Sequence, residues 1–229
     1  MRAPPRVLQI TDADLLPEEA LLARLHAYAG LRGEARGALA VQLRDPALTG
    51  RSLARLGALL RAVTRAMGAG LVINDRLDLA LALGADGAHL GRRSVTVADA
   101  RALLPAGAWL SVACHAVDEV VRAAGEGADA AVLSPIFASP GKGAPLGVGA
   151  LAAARAALAA RGLAVQLVAL GGVDAGNASA CFAAGASAVA AIRADFREAL
   201  GGSFQAQGPQ EDSHLPHGPA SLARAAGSK

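Results

Sequence analysis

The sequence contains few cysteines and lacks any long uninterrupted apolar run. With only Cys114 and Cys181 in 229 residues, a disulfide framework or a cysteine-ligated metal is not expected, and a reducing compartment is. No apolar stretch reaches the ~18 residues that a membrane span needs. The first residues also lack the charged and apolar regions of a signal peptide. We therefore expect a cytoplasmic protein without a membrane partner.

Aromatic residues are also scarce, at 3% of the chain. The formal net charge is +3, but the arginines are scattered through segments of helical pattern and are not gathered into one basic stripe. Nucleic-acid sites combine such a stripe with aromatic stacking platforms. We therefore expect no nucleic-acid partner. The hydrophobic share of 53% is sufficient for one substantial core.

A short pattern occurs three times along the chain. It reads "GADGAHLG" at 84–91, "GADAAVLS" at 127–134 and, more loosely, "GASAVAAI" at 185–192. Each copy follows an alanine-rich run, and glycine is favoured just past a helix, where the chain takes a positive φ. A short apolar run without alternation is typical of a strand buried on both faces. The pattern therefore predicts helix end, turn and buried strand, and its repetition indicates a parallel sheet.

The whole chain contains eight such apolar runs, separated by segments of helical pattern. The predicted strands are 7–11, 38–44, 70–75, 87–91, 109–115, 130–137, 165–172 and 188–192. The predicted helices are 17–30, 51–67, 76–83, 96–104, 116–125, 148–160 and 174–184, with Pro17 and Asp174 as start signals. This alternation predicts a single (β/α) TIM-type barrel of eight parallel strands, and a doubly wound sheet is the alternative.

The predicted barrel domain covers residues 1–200, and 201–229 is predicted to be a disordered tail. The tail is rich in Gly, Pro, Ser and charge and has no apolar period. His214 and His217 have a metal-like spacing, but we interpret them as solvated polar residues around Pro216.

In barrels of this kind the site lies at the carboxyl ends of the strands. A glycine pair, Gly171 and Gly172, follows the seventh strand, and together with the amides of Ile192 and Arg193 after the eighth it predicts a phosphate cradle. The alternative is that the glycines only permit a tight turn. The loop "ASPGKGAPLG" contains the cation Lys142 and suits a cover over an anionic ligand.

Two histidines and a cysteine lie near the predicted strand ends. His115 suits general acid–base chemistry because histidine is the residue type that carries protons near neutral pH. His89, inside the fourth strand, is interpreted as a core histidine. Cys114 precedes His115 and should face the opposite side, toward the helices. We therefore predict no Cys-His nucleophilic pair.

Several stretches, taken in order, resemble the successive motifs of the thiamine phosphate synthase and TenI family. They are "VLQITD", "VQLRD", "LVINDRLDLALALGADGAHLG", "SVACH", "SPIFASPGK" and "LVALGG", and the resemblance covers residues 6 to about 197. It implies a (β/α) barrel that acts in thiamin biosynthesis on thiazole phosphate.

The synthase branch joins hydroxymethylpyrimidine diphosphate to thiazole phosphate with Mg²⁺. The resemblance implies substrate contacts at Gln42, Arg44, Asn74, Ser139 and Lys142 and a metal ligand at Asp75.

The chain departs from the synthase motifs at three places. Pro46 stands where the family has a lysine, and Gly141 stands where it has a threonine. The sequence Gly-Arg-Arg-Ser at 91–94 replaces the motif "GQED", which supplies the second metal carboxylate. Loss of a carboxylate beside two arginines is expected to weaken the binding of a hard cation.

The TenI branch keeps the barrel but isomerises a thiazole carboxylate phosphate, a reaction that needs proton transfer and no metal. His115 falls at the position of its acid–base histidine, and Arg92 or Arg93 would pair with the substrate carboxylate. The sequence therefore favours a TenI-like tautomerase without a cofactor. The alternatives are an Mg²⁺-dependent synthase and a binder of thiazole or thiamin phosphate without turnover. A homo-oligomer is compatible with each alternative.

Overall fold

The structure, a computed structural model, describes residues 4–30 and 38–197. Eight strands form a closed, fully parallel barrel in which each strand pairs with its neighbours in the chain and β8 pairs with β1. The strands are β1 Val7–Ile10, β2 Leu39–Leu43, β3 Gly70–Asn74, β4 Gly87–Leu90, β5 Trp109–Cys114, β6 Ala130–Leu133, β7 Gln166–Ala169 and β8 Ala188–Ala191. The predicted TIM-type barrel is confirmed, and the doubly wound alternative is wrong.

Helices connect the strands on the outside of the barrel. They are α1 Glu18–Ala29, α2 Gly50–Met67, α3 Leu77–Ala82, α4 Val97–Leu103, α5 Val117–Gly125, α6 Gly149–Ala159 and α7 Ala178–Ala183. None of these described helices has the length and apolar character that a membrane crossing requires. The predicted tail, with His214 and His217, lies outside the described residues.

The predicted start of the last helix is wrong. The helix begins at Ala178, not at Asp174. The Asp174 carboxylate instead accepts hydrogen bonds from the amides of Gly176 and Asn177, at 2.9 and 3.1 Å. Asp and Asn often form such local side-chain turns, which compete with helix formation, and this turn delays the helix by one turn.

Strand side chains alternate between two apolar layers. One layer fills the barrel interior and is built from small and medium side chains around Trp109 and Leu8. The other lies between strands and helices and contains Cys114, as its alternation with His115 predicts. Burial raises the pKa of the Cys114 thiol to about 12. The thiol is therefore protonated and packs as a small apolar group.

The three sequence repeats form the same joint at the amino-terminal end of the barrel. In the first, the Asp86 carboxylate accepts from the amide of Leu71, at 2.8 Å, and from Arg61 on α2, at 2.6 Å. In the second, Asp129 accepts from the Leu110 amide at 2.7 Å and from Arg101 on α4 at 2.6 Å.

In the third copy, a serine replaces the aspartate. Ser187 accepts a hydrogen bond from Arg155 on α6, and the same guanidinium donates to the carbonyl of Gly185 at 2.6 Å. In all three copies an arginine of an outer helix therefore fixes the turn that starts a strand. The repeats stabilise the end of the barrel opposite the carboxyl rim.

We expect Asp86→Ala to lower the free energy of unfolding by about 2–3 kcal/mol, because a strand amide and a largely buried guanidinium lose their acceptor. Urea unfolding monitored by circular dichroism measures this loss. The matched control is Asp78→Ala, which removes an exposed ion pair with Arg76 and should cost less than about 1 kcal/mol. Equal losses in the two variants would contradict a special role for the repeat aspartate.

Candidate functional site

A cavity of about 840 Å³ opens at the carboxyl ends of the strands. Every residue that the sequence predicted for the site lines it: Gln42, Arg44, Asn74, Asp75, Arg92, His115, Ser139, Lys142, Gly171, Gly172, Ile192 and Arg193. The structure therefore brings all of them to one rim. Their individual roles stay predictions.

The cavity lining is rich in cations. Arg44 lies 3.5 Å from Asp12, and Arg76, which the sequence analysis missed, pairs with Asp78. Four other lining cations have no ion-pair partner in the described part of the chain: Arg92, Arg93, Lys142 and Arg193. Unpaired cations that face one cavity favour an anionic ligand of high charge.

Gly171 and Gly172 both have left-handed backbones, with φ of 92° and 64°. A Cβ on Gly171 would lie 2.6 Å from the Pro135 Cα, and one on Gly172 would lie 2.6 Å from the Ala138 carbonyl oxygen. The pair therefore does more than permit a turn, since it lets the β7 loop pack directly against the β6 loop.

Backbone amides are available in the loops after β7 and β8. Within residues 4–30 and 38–197, the amides of Gly172 and Arg193 have no hydrogen-bond acceptor. The Gly172 carbonyl accepts from the Asn177 side chain at 2.9 Å. Free amides in adjacent loops fit the predicted phosphate cradle.

Asp75 is the residue that the sequence predicted as a metal ligand. Its backbone is left-handed, with φ of 59°, at the turn from β3 into α3. One carboxylate oxygen accepts from the backbone amide of Gly91 at 3.0 Å and from the Ser94 hydroxyl, and the other accepts from the side-chain nitrogen of Asn74 at 2.7 Å. Three of its roughly four lone-pair positions are thus used.

Asp75 is the carboxylate predicted to bind a metal, and Asp12 and Asp45 line the same cavity. The described residues contain no group of three or more His, Cys, Asp or Glu side chains that could hold a metal ion. Mg²⁺, however, commonly uses one or two carboxylates together with substrate phosphates and keeps several waters. The Asp75 donor set fits an Mg²⁺ ion that the substrate would help to hold.

Gln42 lines the cavity and has a buried side-chain oxygen without a hydrogen-bond partner in the described part of the chain. Its amide nitrogen donates to the Asn74 side chain at 3.1 Å, while its buried Oε1 has no partner among the described residues. A buried unpaired oxygen costs free energy unless a ligand donor reaches it.

His115 is held in one tautomer. Its Nδ1 lies 2.9 Å from the carbonyl oxygen of Ser134, which can only accept, so Nδ1 carries the proton. In the neutral ring Nε2 then holds a lone pair. The ring is half-buried at the cavity wall, and its geometry suits a proton acceptor.

His89 is more than a core residue. Its Nδ1 lies 2.9 Å from the Ser111 hydroxyl and its side chain is buried, as the core interpretation predicts, but it also borders the cavity. Burial lowers the pKa of His89 to about 4, although Asp75 opposes the shift. At neutral pH the ring is therefore uncharged. The sequence signal that was missed is its position one residue before the end of β4.

Comparison with known proteins adds three findings. A family model described as thiamine monophosphate synthase matches residues 7–194. The thiamine-phosphate synthase of Methanoculleus marisnigri is 42% identical over 174 residues, which cover 75% of this chain and 80% of the relative. That of Moorella thermoacetica is 40% identical over 163 residues, or 70% of this chain and 75% of the relative.

A solved structure with a lower sequence identity also resembles this chain. The thiamine phosphate pyrophosphorylase from Pyrococcus furiosus superposes with a TM-score of 0.70 at 26% identity. The match covers 85% of this chain and 91% of that one.

We expect the buried state of His89 to make stability pH-dependent. An imidazole of the unfolded chain titrates near pH ~6.5, whereas the folded ring resists protonation down to about pH 4. Between these values the unfolded chain binds the extra proton, so the free energy of unfolding falls as the pH decreases. Urea unfolding at several pH values should show a smaller decrease for His89→Gln than for the unchanged chain.

The control for this experiment is His26→Gln, which removes an exposed imidazole from α1. It should retain the pH dependence of the unchanged chain. The same slope in His89→Gln and His26→Gln would rule out His89 as the origin.

Proposed function

Because the chain belongs to the thiamine monophosphate synthase family, we propose that it is a thiamine-phosphate synthase. It would join hydroxymethylpyrimidine diphosphate to thiazole phosphate and release diphosphate. The names of the relatives favour this activity over the tautomerase that the sequence departures favoured. The cavity geometry supports the same choice.

The observation that carries the proposal is the distribution of unpaired cations around the rim. Arg92 and Arg93 follow β4, and Arg193 follows β8, which lies opposite β4 in the closed barrel. Cations on opposite sides of one cavity could bind two anionic groups at the same time. A reaction between a diphosphate and a phosphate requires such an arrangement. A volume of about 840 Å³ lies in the upper part of the range of small-molecule sites and leaves room for two substrates.

The proposed mechanism is substitution at the pyrimidine methylene. The bond from the methylene carbon to the diphosphate oxygen breaks, the electron pair leaves with diphosphate, and the thiazole nitrogen forms the new C–N bond. Arg92, Arg93 and Lys142 would stabilise the charge that develops on the leaving group. The amides of Gly172 and Arg193 would hold the thiazole phosphate, and Gln42 would orient a ring donor.

Mg²⁺, when bound, would add positive charge to the diphosphate. Asp75 would hold it, with the Ser94 hydroxyl beside that carboxylate in place of a second acid. With Asp75 as the one carboxylate that holds the metal, the guanidinium groups of this chain would neutralise more of the diphosphate charge than in a site with two such carboxylates.

The tautomerase remains a second candidate because of His115. Its Nε2 lone pair faces a cavity that would accept a thiazole carboxylate phosphate, and the coupling reaction above needs no proton acceptor at this position.

We expect the purified protein to form thiamin phosphate from the two substrates, with a higher rate when Mg²⁺ is added. Arg92→Gln should lower kcat/KM by about tenfold, the effect of one charge-assisted hydrogen bond, and Arg93→Gln should act similarly. Arg161→Gln, on the exposed surface after α6, is the matched control and should leave the rate unchanged. Product formation followed by chromatography measures each rate. Absence of product with and without Mg²⁺ would overturn the synthase proposal.

His115→Asn separates the two enzymes. If the chain is a synthase, this variant should retain coupling within about threefold, since the reaction requires no proton acceptor there. If the chain is a tautomerase, loss of general acid–base catalysis should lower isomerisation of the thiazole carboxylate phosphate by about 10²–10⁴-fold. Binding of thiazole phosphate without either reaction would indicate the non-catalytic binder.

A further inference from the structure

The loop that follows β8 is held from outside the barrel by a charged side chain. Arg24, half-buried on α1, donates through one nitrogen to the carbonyl of Ala194 at 2.9 Å and to that of Ile192 at 3.4 Å. The same nitrogen lies 3.3 Å from the side-chain oxygen of Gln9. A single guanidinium thus spans the first three residues of the loop.

Gln9, on β1, donates hydrogen bonds to the same loop. Its side chain is fully buried, and its amide nitrogen donates to the carbonyl of Ile192 at 2.7 Å and to that of Ala191 at 3.2 Å. Three carbonyl groups at the end of β8 and in the loop after it, those of Ala191, Ile192 and Ala194, therefore accept hydrogen bonds from Gln9, Arg24 or both.

The direction of these carbonyl groups fixes the direction of the amides. In a trans peptide the C=O of one residue and the N–H of the next point in opposite directions. Since the Ile192 carbonyl points toward Arg24 and Gln9, the Arg193 amide points away from them. Residues 190–194 also line the cavity. A cation on the carbonyl also polarises the peptide, which strengthens its amide as a donor.

We propose that Arg24 is a positioning residue that shapes the β8 loop for the phosphate group of a substrate. The inference rests on the phosphate cradle of the proposed function, but it holds for any reaction of thiazole phosphate at this site. Arg24 does not touch the phosphate. It acts through the peptide that joins Ile192 to Arg193.

A role limited to docking α1 does not account for these contacts. The helix already buries Leu21, Leu25 and Tyr28 against the barrel. An exposed ion pair between Glu18 and Arg55, at 2.6 Å, ties it to α2. Tyr28, one helical turn beyond Arg24, accepts a hydrogen bond from the amide of Phe196 at 2.7 Å. Arg24 and Tyr28 thus hold two points of one segment that leaves the cradle.

The test compares Arg24→Ala with Arg55→Ala. Arg24 belongs to α1, and Arg55 contacts α1 through Glu18. Each variant removes one guanidinium, but only Arg24→Ala removes hydrogen bonds to the carbonyls of the β8 loop. We expect Arg24→Ala to raise the KM for thiazole phosphate by about tenfold, the effect of one charge-assisted hydrogen bond. The KM for the pyrimidine diphosphate and the kcat at saturation should stay unchanged. Arg24→Lys should recover part of the loss, and Arg55→Ala should show none.

Calorimetric titration with thiazole phosphate alone gives a readout that does not require turnover. The Kd should rise by the same factor in Arg24→Ala, which supports the inference even if the chain makes no thiamin phosphate. Failure to form product would then overturn only the synthase proposal. An unchanged Kd in Arg24→Ala, an equal rise for both substrates, or no binding of thiazole phosphate by the unchanged chain would overturn the inference.

Discussion

The pairing of β1 with β8 is the contact on which the arrangement of the site depends. It joins Val7 to Val189 and Gln9 to Ala191 and closes the sheet into a barrel. Closure of parallel strands brings all eight carboxyl ends to one rim. Residues as distant in the chain as Gln42 and Arg193 therefore line a single cavity. Gln9 lies at this junction, so the pairing that closes the barrel also fixes the adjoining loop.

The two ends of the barrel differ in how their charged side chains are paired. At the amino-terminal end, Asp86 and Asp129 pair with arginines and with strand amides, so that these two carboxylates are satisfied within the chain. At the carboxyl end, Gln42 keeps an unpaired buried oxygen and Arg92 has no ion-pair partner in the described residues. Unsatisfied groups of this kind lower stability, and a ligand that pairs with them recovers the difference.

The fold could be predicted from the sequence because its signals are local and repeated. Each buried strand is a short apolar run, and several helix ends are marked by glycine, as at Gly127 and Gly185, whose φ values are positive. Errors occurred where a loop sequence resembles an element. The run after β6 is apolar through Phe137, but the strand ends at Leu133, because the chain there turns to pack against the glycine pair of the β7 loop.

Residues that line the cavity could be selected from the sequence, but their contacts could not. Strand-end position was sufficient to select Asn74, Asp75 and His115. Neither the contact of Arg24 with the β8 loop nor the open oxygen of Gln42 has a sequence signal, since both depend on how distant elements pack.

Ser94, which stands where the resembled synthase motif has an acid, has a consequence for the charge of the whole site. A second carboxylate beside Asp75 would add negative charge that a bound Mg²⁺ offsets. Ser94 instead donates a hydrogen bond to Asp75 and adds no charge. The neighbouring Arg92 and Arg93 remain unpaired in the described residues and contribute positive charge without a metal. In a synthase, two unpaired arginines would attract diphosphate directly and would repel a free Mg²⁺ ion, which this site would hold less tightly than a site with two carboxylates. In a synthase of this kind, we therefore expect Mg²⁺ and the diphosphate substrate to enter the cavity together, as a complex formed in solution.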